Sequence, residues 1–221
     1  MRTVKEKEEQ MIDRFCEFVT SKIRHAMPEV DDERAEIIQY GIQLLLGELP
    51  KIALLFVIAF ILNVGWLTVF AFLVMLPYRS SSGGFHLTTH LGCIGMTTLL
   101  YVGSVVLAQH TYLPNDMVKY GIIIAIWVFG MVMCKLYAPA DTQWQPIISK
   151  KERKKKQLFS YITLTVTLMV AACIQDRVLS NIILYEMFFQ SLFITRIAYK
   201  LARNEYGHEI YEKEQSIAVH T

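Results

Sequence analysis

The chain has 221 residues, of which 53% are hydrophobic and 19% are charged, and its formal net charge of +2 says little about partners. It is more apolar than an average soluble domain. Its four cysteines are far apart and form no CxxC pair, which excludes a disulfide framework and a structural zinc site. Charge-free runs of roughly 20 residues, the length that spans a bilayer, predict a cell-membrane protein of the multi-pass class.

Residues 1–35 are predicted to form a cytosolic or interfacial amphipathic helix. Four apolar residues recur at helical spacing: Ile12, Phe15, Val19 and Ile23. Charged residues occupy the other face. Such a helix can lie on the membrane surface or pack against the protein's own cytosolic face, and the sequence leaves both open. Pro28 is expected to end it.

Residues 36–203 are predicted to be an all-α membrane domain of about six transmembrane helices. The expected spans lie at 37–62, 66–77, 91–109, 117–136, 158–174 and 178–199. Glu48 and Lys51 are three apart and can pair on one face of the first span. Small residues along the third span permit close helix packing and are compatible with a homodimer. Residues 204–221 are expected to be a polar cytosolic tail.

The distribution of Lys and Arg sets the expected orientation. Residues 150–156 hold six Lys or Arg in seven positions within a polar loop predicted at 137–157. Basic loops stay in the cytoplasm. Beside a membrane span, such a run favours orientation and contact with anionic lipid in the bilayer over nucleic-acid binding. With six crossings, both termini and the segment 78–93 then face the cytosol.

The segment 78–93 carries the candidate chemistry. It is predicted to be a loop leading into a helix, with Cys93 just inside the helix start, where unpaired N–H groups and the helix dipole favour a thiolate. His86 lies seven residues earlier and can reach the thiol as general base and later as general acid. Gly83 and Gly84 give the backbone freedom to present oxyanion donors. Arg79 can bind a substrate carboxylate or carbonyl.

The residues alone leave three interpretations of this segment open. The first is thiol catalysis. The second is a metal site at His86, His90 and Cys93, whose spacing suits zinc. The third is no chemistry, with Arg79 as a charge that anchors the end of a span. A third group to orient His86 is not identifiable among six candidates: Gln43, Glu48, Ser81, Ser82, Thr88 and Thr89.

The pattern R-x3-G-G-x-H-x6-C, formed by Arg79, Gly83, Gly84, His86 and Cys93, resembles the accessory gene regulator B (AgrB) family of membrane endopeptidases in Gram-positive quorum sensing. The six spans, the cytosolic segment and the basic loop resemble the family too. His90 is not part of the pattern, which lowers the weight of the metal interpretation. The resemblance implies no metal and no cofactor.

The resemblance implies a cysteine endopeptidase that acts on a small AgrD-like propeptide. Cys93, activated by His86, would release the propeptide's C-terminal tail and retain the signal segment as a thioester. The substrate's own Cys or Ser would then close a thiolactone or lactone, the autoinducing peptide. Exclusion of water at the membrane surface favours ring closure over hydrolysis.

Two other classes of function remain as alternatives. A small transporter or channel predicts several polar residues on facing helices, and the last three spans are expected to supply few. A membrane scaffold that presents its basic loop to a partner or to lipid gives no reason for His and Cys in one Gly-containing segment.

Overall fold

A computed structural model describes residues 4–27, 31–87, 90–143 and 146–220. The described chain is all-helical, without a β-strand, which confirms the predicted fold class. It divides into two compact units between Leu55 and Phe56. The nine helices of the described residues are α1 (Val4–Ala26), α2 (Asp32–Ile61), α3 (Gly65–Ser82), α4 (His90–His110), α5 (Asp116–Tyr137), α6 (Lys150–Cys173), α7 (Arg177–Phe193), α8 (Arg196–Leu201) and α9 (Gly207–His220).

The first unit holds α1 and most of α2. The predicted N-terminal helix is present, and Phe15 and Phe18 leave 53% and 59% of their surface exposed, as an interfacial helix requires. In α2, Lys51 Nζ lies 2.6 Å from Glu48 Oε1, which confirms the predicted pair. The predicted break at Pro28 lies outside the described residues.

In the second unit, α7 is the central helix. It packs against α3, α4, α5 and α6, and nine of its 17 residues are buried. Its polar side chains join it to its neighbours: Ser191 Oγ lies 2.9 Å from the Tyr78 hydroxyl, and the Asn181 amide donates to Ala108 O and Thr111 O. Buried polar groups in an apolar environment need hydrogen-bond partners in place of water, and these bonds supply them.

Five buried polar side chains therefore lie in a helix where few were expected: Ser180, Asn181, Glu186, Gln190 and Ser191. Most of them bond to other helices or to their own backbone. Polar residues in α7 thus have a packing role. The expectation that the last three spans contain few polar residues does not hold for α7, so it does not argue against a transporter.

Among the described residues, three helices are long and apolar enough to cross a membrane, judged by length and composition: α4 from Leu91, α5 and α6. Many of their large apolar side chains are exposed, as lipid contact demands. The turn predicted near residues 63–65 is present between α2 and α3, where Asn63 adopts φ 59°. The count of six crossings and their orientation stay predictions.

Two segments predicted as loops belong to helices instead. Residues 78–82, predicted as loop, continue α3, because the serine hydroxyls donate to carbonyls one turn back, with Ser82 Oγ 2.7 Å from Tyr78 O. The basic run 150–156, also predicted as loop, begins α6, since the Ser149 side chain accepts from Glu152 N and Lys and Arg are good helix formers.

The end of the chain differs as well. The span predicted at 178–199 stops at Phe193, because Thr195 starts a new helix, its hydroxyl accepting from Ala198 N at 3.3 Å. The segment predicted as a polar tail contains α9. Tyr206, just before α9, stacks on Tyr199 with ring centroids 4.3 Å apart, which anchors this segment on the membrane domain.

Candidate active site

The two glycines predicted to give backbone freedom form a tight contact with the segment between α5 and α6. Gly83 and Gly84 have φ of 77° and 143°, in the region that favours glycine. Gly84 N donates to Ala140 O at 2.9 Å, and Ala140 N donates to Ser82 O at 2.8 Å. A Cβ on Gly83 would lie 2.2 Å from Ala140 O. Glycine is therefore required here by both conformation and space.

Arg79, in the last turn of α3, folds its guanidinium back over this turn. Its Nη2 donates to Phe85 O at 3.0 Å, and its Nη1 donates to Gln190 Oε1 at 3.3 Å. A Cβ on Gly84 would lie 2.2 Å from Arg79 Nη1. A guanidinium has five N–H donors. Arg79 thus holds the turn with part of its donors, whether or not it also contacts a substrate.

Gln190 of α7 is the central support of the segment. The side chain is fully buried, and its Nε2 donates to Ser82 Oγ and to Gly83 O, both at 2.7 Å. Its Oε1 accepts the bond from Arg79. One amide therefore binds the end of α3, the glycine turn and the guanidinium, so α7 fixes where the segment lies.

The backbone of His86 is fixed from the other end of the chain. Asn204 Nδ2 donates to His86 O at 2.6 Å, and Asn204 Oδ1 accepts from His86 N at 3.3 Å. The preceding Phe85 is 8% exposed and packs against Phe193, with ring centroids 5.2 Å apart. The His86 side chain is exposed. This arrangement anchors the main chain and leaves the imidazole at the surface.

Cys93 lies where the sequence places it, as the fourth residue of α4, and is half-buried with a free thiol. It therefore lies in the first turn of the helix, as predicted. Residues 88 and 89, which join His86 to α4, lie outside the described residues. The pairing of His86 with Cys93 stays a prediction.

Three of the candidates for a third catalytic group have structural bonds. Ser82 Oγ donates to Tyr78 O and accepts from Gln190 Nε2, and Ser81 Oγ donates to Pro77 O at 3.0 Å. Glu48 pairs with Lys51 in the first unit. The side chain of Gln43, like Thr88 and Thr89, is outside the description.

The described His, Cys, Asp and Glu side chains form no group of three or more that could bind a metal ion. The side chain of His90, one member of the alternative zinc set, lies outside that description. The structure therefore adds no support to the metal interpretation.

The supports of the segment were not identified from sequence. Gln190, Asn204 and Ala140 are 56 to 118 residues away from the groups they bind in this segment. Only Gln190 carried a usable signal, because a polar residue within an apolar run usually faces the protein interior. Asn204 and Ala140 lie in irregular segments whose partners no local pattern indicates.

Comparison with known proteins identifies the family. The family model for accessory gene regulator B matches residues 16–194, which include Gln190 and every predicted site residue. An AgrB-like protein of Listeria innocua serovar 6a (strain ATCC BAA-680 / CLIP 11262) is 29% identical over 184 residues, 82% of this chain and 88% of the relative.

Two further relatives carry the same name. The AgrB-like protein of Clostridium perfringens (strain SM101 / Type A) is 28% identical over 80% of each chain. That of Clostridium acetobutylicum is 22% identical over 94% of this chain and 96% of its own. No solved structure matches. The chain therefore belongs to the accessory gene regulator B family, has a role in the accessory gene regulator system of quorum sensing, and carries apolar helices that fit a membrane protein.

Proposed function

We propose that this protein is a membrane cysteine endopeptidase that removes the C-terminal tail of a small quorum-sensing propeptide and supports its cyclisation. The proposal is carried by one observation: Cys93 lies in the first turn of α4, directly after a segment whose backbone is fixed by α7 and by Asn204. A thiol on a rigid, preorganised support is what nucleophilic catalysis needs. Family membership supplies the substrate class.

In the proposed reaction, His86 removes the thiol proton and the Cys93 sulfur attacks the carbonyl carbon at the end of the signal segment. The C–S bond forms, the C–N bond breaks, and the proton passes from His86 to the leaving amine of the tail. The substrate's own thiol then attacks the thioester. A new C–S bond closes the ring as Cys93 leaves, so no oxidant, reductant or water is consumed.

The anchored main chain changes the role proposed for Gly83 and Gly84. Gly84 N is used by Ala140 O, so this N–H is not an oxyanion donor in this conformation. The glycines are better explained as the turn that allows close approach of the α5–α6 segment.

The decisive experiment compares wild type, Cys93→Ala and Cys173→Ala, each purified in lipid and given a candidate propeptide. Cys173 is a matched control because it is also a free cysteine, exposed at the end of α6. Mass spectrometry should find the released tail and an acyl adduct on Cys93 with wild type and Cys173→Ala only. Equal cleavage by Cys93→Ala would remove Cys93 from the mechanism.

A second arm tests the base. His86→Ala should insert and fold but lose tail release, because the backbone contacts of His86 to Asn204 do not depend on its side chain. Alkylation of Cys93 by iodoacetamide near neutral pH should slow at the same time. A transporter would tolerate both substitutions, so transport retained in both variants, with no tail release even by wild type, favours that alternative.

A further inference from the structure

A basic cavity lies in the second unit, where the segment between α5 and α6 begins. Its volume is about 330 Å³, and it is lined by the end of α5, the start of α6 and residues of α8 and α9. Five cationic side chains line it, against one Glu: Lys135, Lys150, Arg153, Lys154 and Arg196. Such a concentration of one charge in a concave site attracts anions.

Three of these cations lack a protein counter-ion. Arg196 pairs with Glu209, and Arg153 lies 3.4 Å from Asp141 Oδ1. Within the part of the chain that the structure describes, no carboxylate pairs with Lys135, Lys150 or Lys154. The cavity therefore keeps a net positive charge that an external anion can neutralise.

Arg153 is held in position before any ligand arrives. Its Nη2 lies 3.3 Å from His208 Nε2, and His208 Nδ1 lies 2.6 Å from Asp141 Oδ1. The buried Asp141 thus fixes both groups, with its Oδ1 3.4 Å from Arg153 Nη1. A preoriented guanidinium that lines the cavity is suited to a phosphate oxygen.

The location of the cavity indicates the source of the phosphate. It lies where α5 ends and α6 begins, and both helices are candidate membrane spans, so it is at the level of a membrane–water interface. Leu136 lines it and is 61% exposed. Leu158 follows one turn after Lys154 on α6 and is also exposed. An apolar strip thus continues from the cations along the spans.

We propose that this cavity binds the phosphate headgroup of an anionic phospholipid, with the acyl chains along the exposed apolar surface of α5 and α6. The lysines and Arg153 bind the phosphate, and the apolar strip provides the second contact that a soluble anion or an acidic peptide would not use. The site is independent of the reaction proposed for Cys93.

The test uses the basic run of α6 as its own control. Lys150, Arg153, Lys154 and Gln157 line the cavity at helical spacing, whereas Lys151 and Lys155 of the same run do not. Lys150→Gln with Lys154→Gln, and Lys151→Gln with Lys155→Gln, remove equal charge from exposed positions, and Gln is as good a helix former as Lys. Both variants should fold alike.

Each full-length protein is placed in phosphatidylcholine nanodiscs with trace spin-labelled phosphatidylglycerol or phosphatidylcholine, and the immobilised fraction gives a relative association constant. Wild type should select phosphatidylglycerol. The selectivity should fall by about 5-fold or more in the cavity variant, since one lysine near a membrane surface contributes about that factor. The matched variant should keep it. If both variants lose the same selectivity for phosphatidylglycerol, the proposal of a specific site is wrong, and the positive charge of the whole basic run attracts the lipid instead.

Two added ligands identify other occupants. If millimolar inorganic phosphate at constant ionic strength removes the difference between the variants, free phosphate is the occupant and the lipid assignment is wrong. If oligoglutamate distinguishes the variants while phosphatidylglycerol is not selected by wild type, the cavity binds an acidic peptide, which also overturns the proposal.

Discussion

Replacement of Gln190 by Leu tests whether α7 positions the segment that precedes Cys93. Leu has a similar volume but cannot bind Ser82 Oγ, Gly83 O or the Arg79 guanidinium, the three groups that the amide now joins. The substitution therefore removes polar contacts from the turn while leaving α7 packed. Gln190 itself does not reach Cys93 in the proposed mechanism, so it is a positioning residue.

The expected magnitude follows from the three bonds. Hydrogen bonds between membrane helices contribute about 0.6 kcal/mol each on average, so the three bonds together contribute about 2 kcal/mol. A loss of about 2 kcal/mol in holding the turn corresponds to roughly 30-fold in kcat/KM for tail release. Thermal stability should fall as well.

Asn181→Leu is the matched control. It removes a buried amide of the same helix that bonds to the end of α4 and not to the glycine turn. Both variants should lower the Tm in detergent, but only Gln190→Leu should lower kcat/KM per folded protein and slow iodoacetamide labelling of Cys93. If Gln190→Leu loses stability like Asn181→Leu and keeps full activity, the positioning role is refuted.

Three further substitutions test the surroundings. Gly84→Ala should abolish tail release, because Gly84 has a positive φ and its Cβ would meet the Arg79 guanidinium. Gly121→Ala, whose Cβ meets nothing within 4 Å, should be active, and equal activities of the two variants in a cleavage assay would contradict this. Asn204→Ala frees the His86 backbone and should reduce kcat/KM for tail release by about 10-fold. An unchanged kcat/KM would show that the two hydrogen bonds from Asn204 to the His86 backbone are not needed for activity. Arg177→Ala removes hydrogen bonds to three carbonyls at and just after the end of α4. It should lower the Tm by several degrees without changing kcat/KM per folded protein, and an unchanged Tm would contradict this prediction.

Local patterns predicted what depends on local interactions. The helix that carries Cys93 begins where a polar segment meets an apolar run, and the Glu48–Lys51 pair follows from helical spacing alone. The N-terminal helix was predictable for the same reason. Each of these features depends on residues within a few turns of one another, so one segment of sequence contains all the information.

The support of the segment could not be predicted in this way. Ser80–Ser82 reads as loop because Ser competes with helical bonds, yet the hydroxyls here bond back one turn and extend α3 to the glycines. The partners of the turn, Gln190 and Asn204, come from the last quarter of the chain. Their roles depend on tertiary packing, which hydropathy and spacing do not encode.

The distance between His86 and Asn204 along the chain has a consequence for biosynthesis. The two residues are 118 positions apart, and Gln190 is 107 positions beyond Gly83. A nascent chain that has released His86 and Cys93 from the ribosome still lacks the groups that fix their backbone. The segment therefore gains its full support only after residue 204 has been synthesised, and a chain truncated before Asn204 would contain His86 and Cys93 in an unsupported segment.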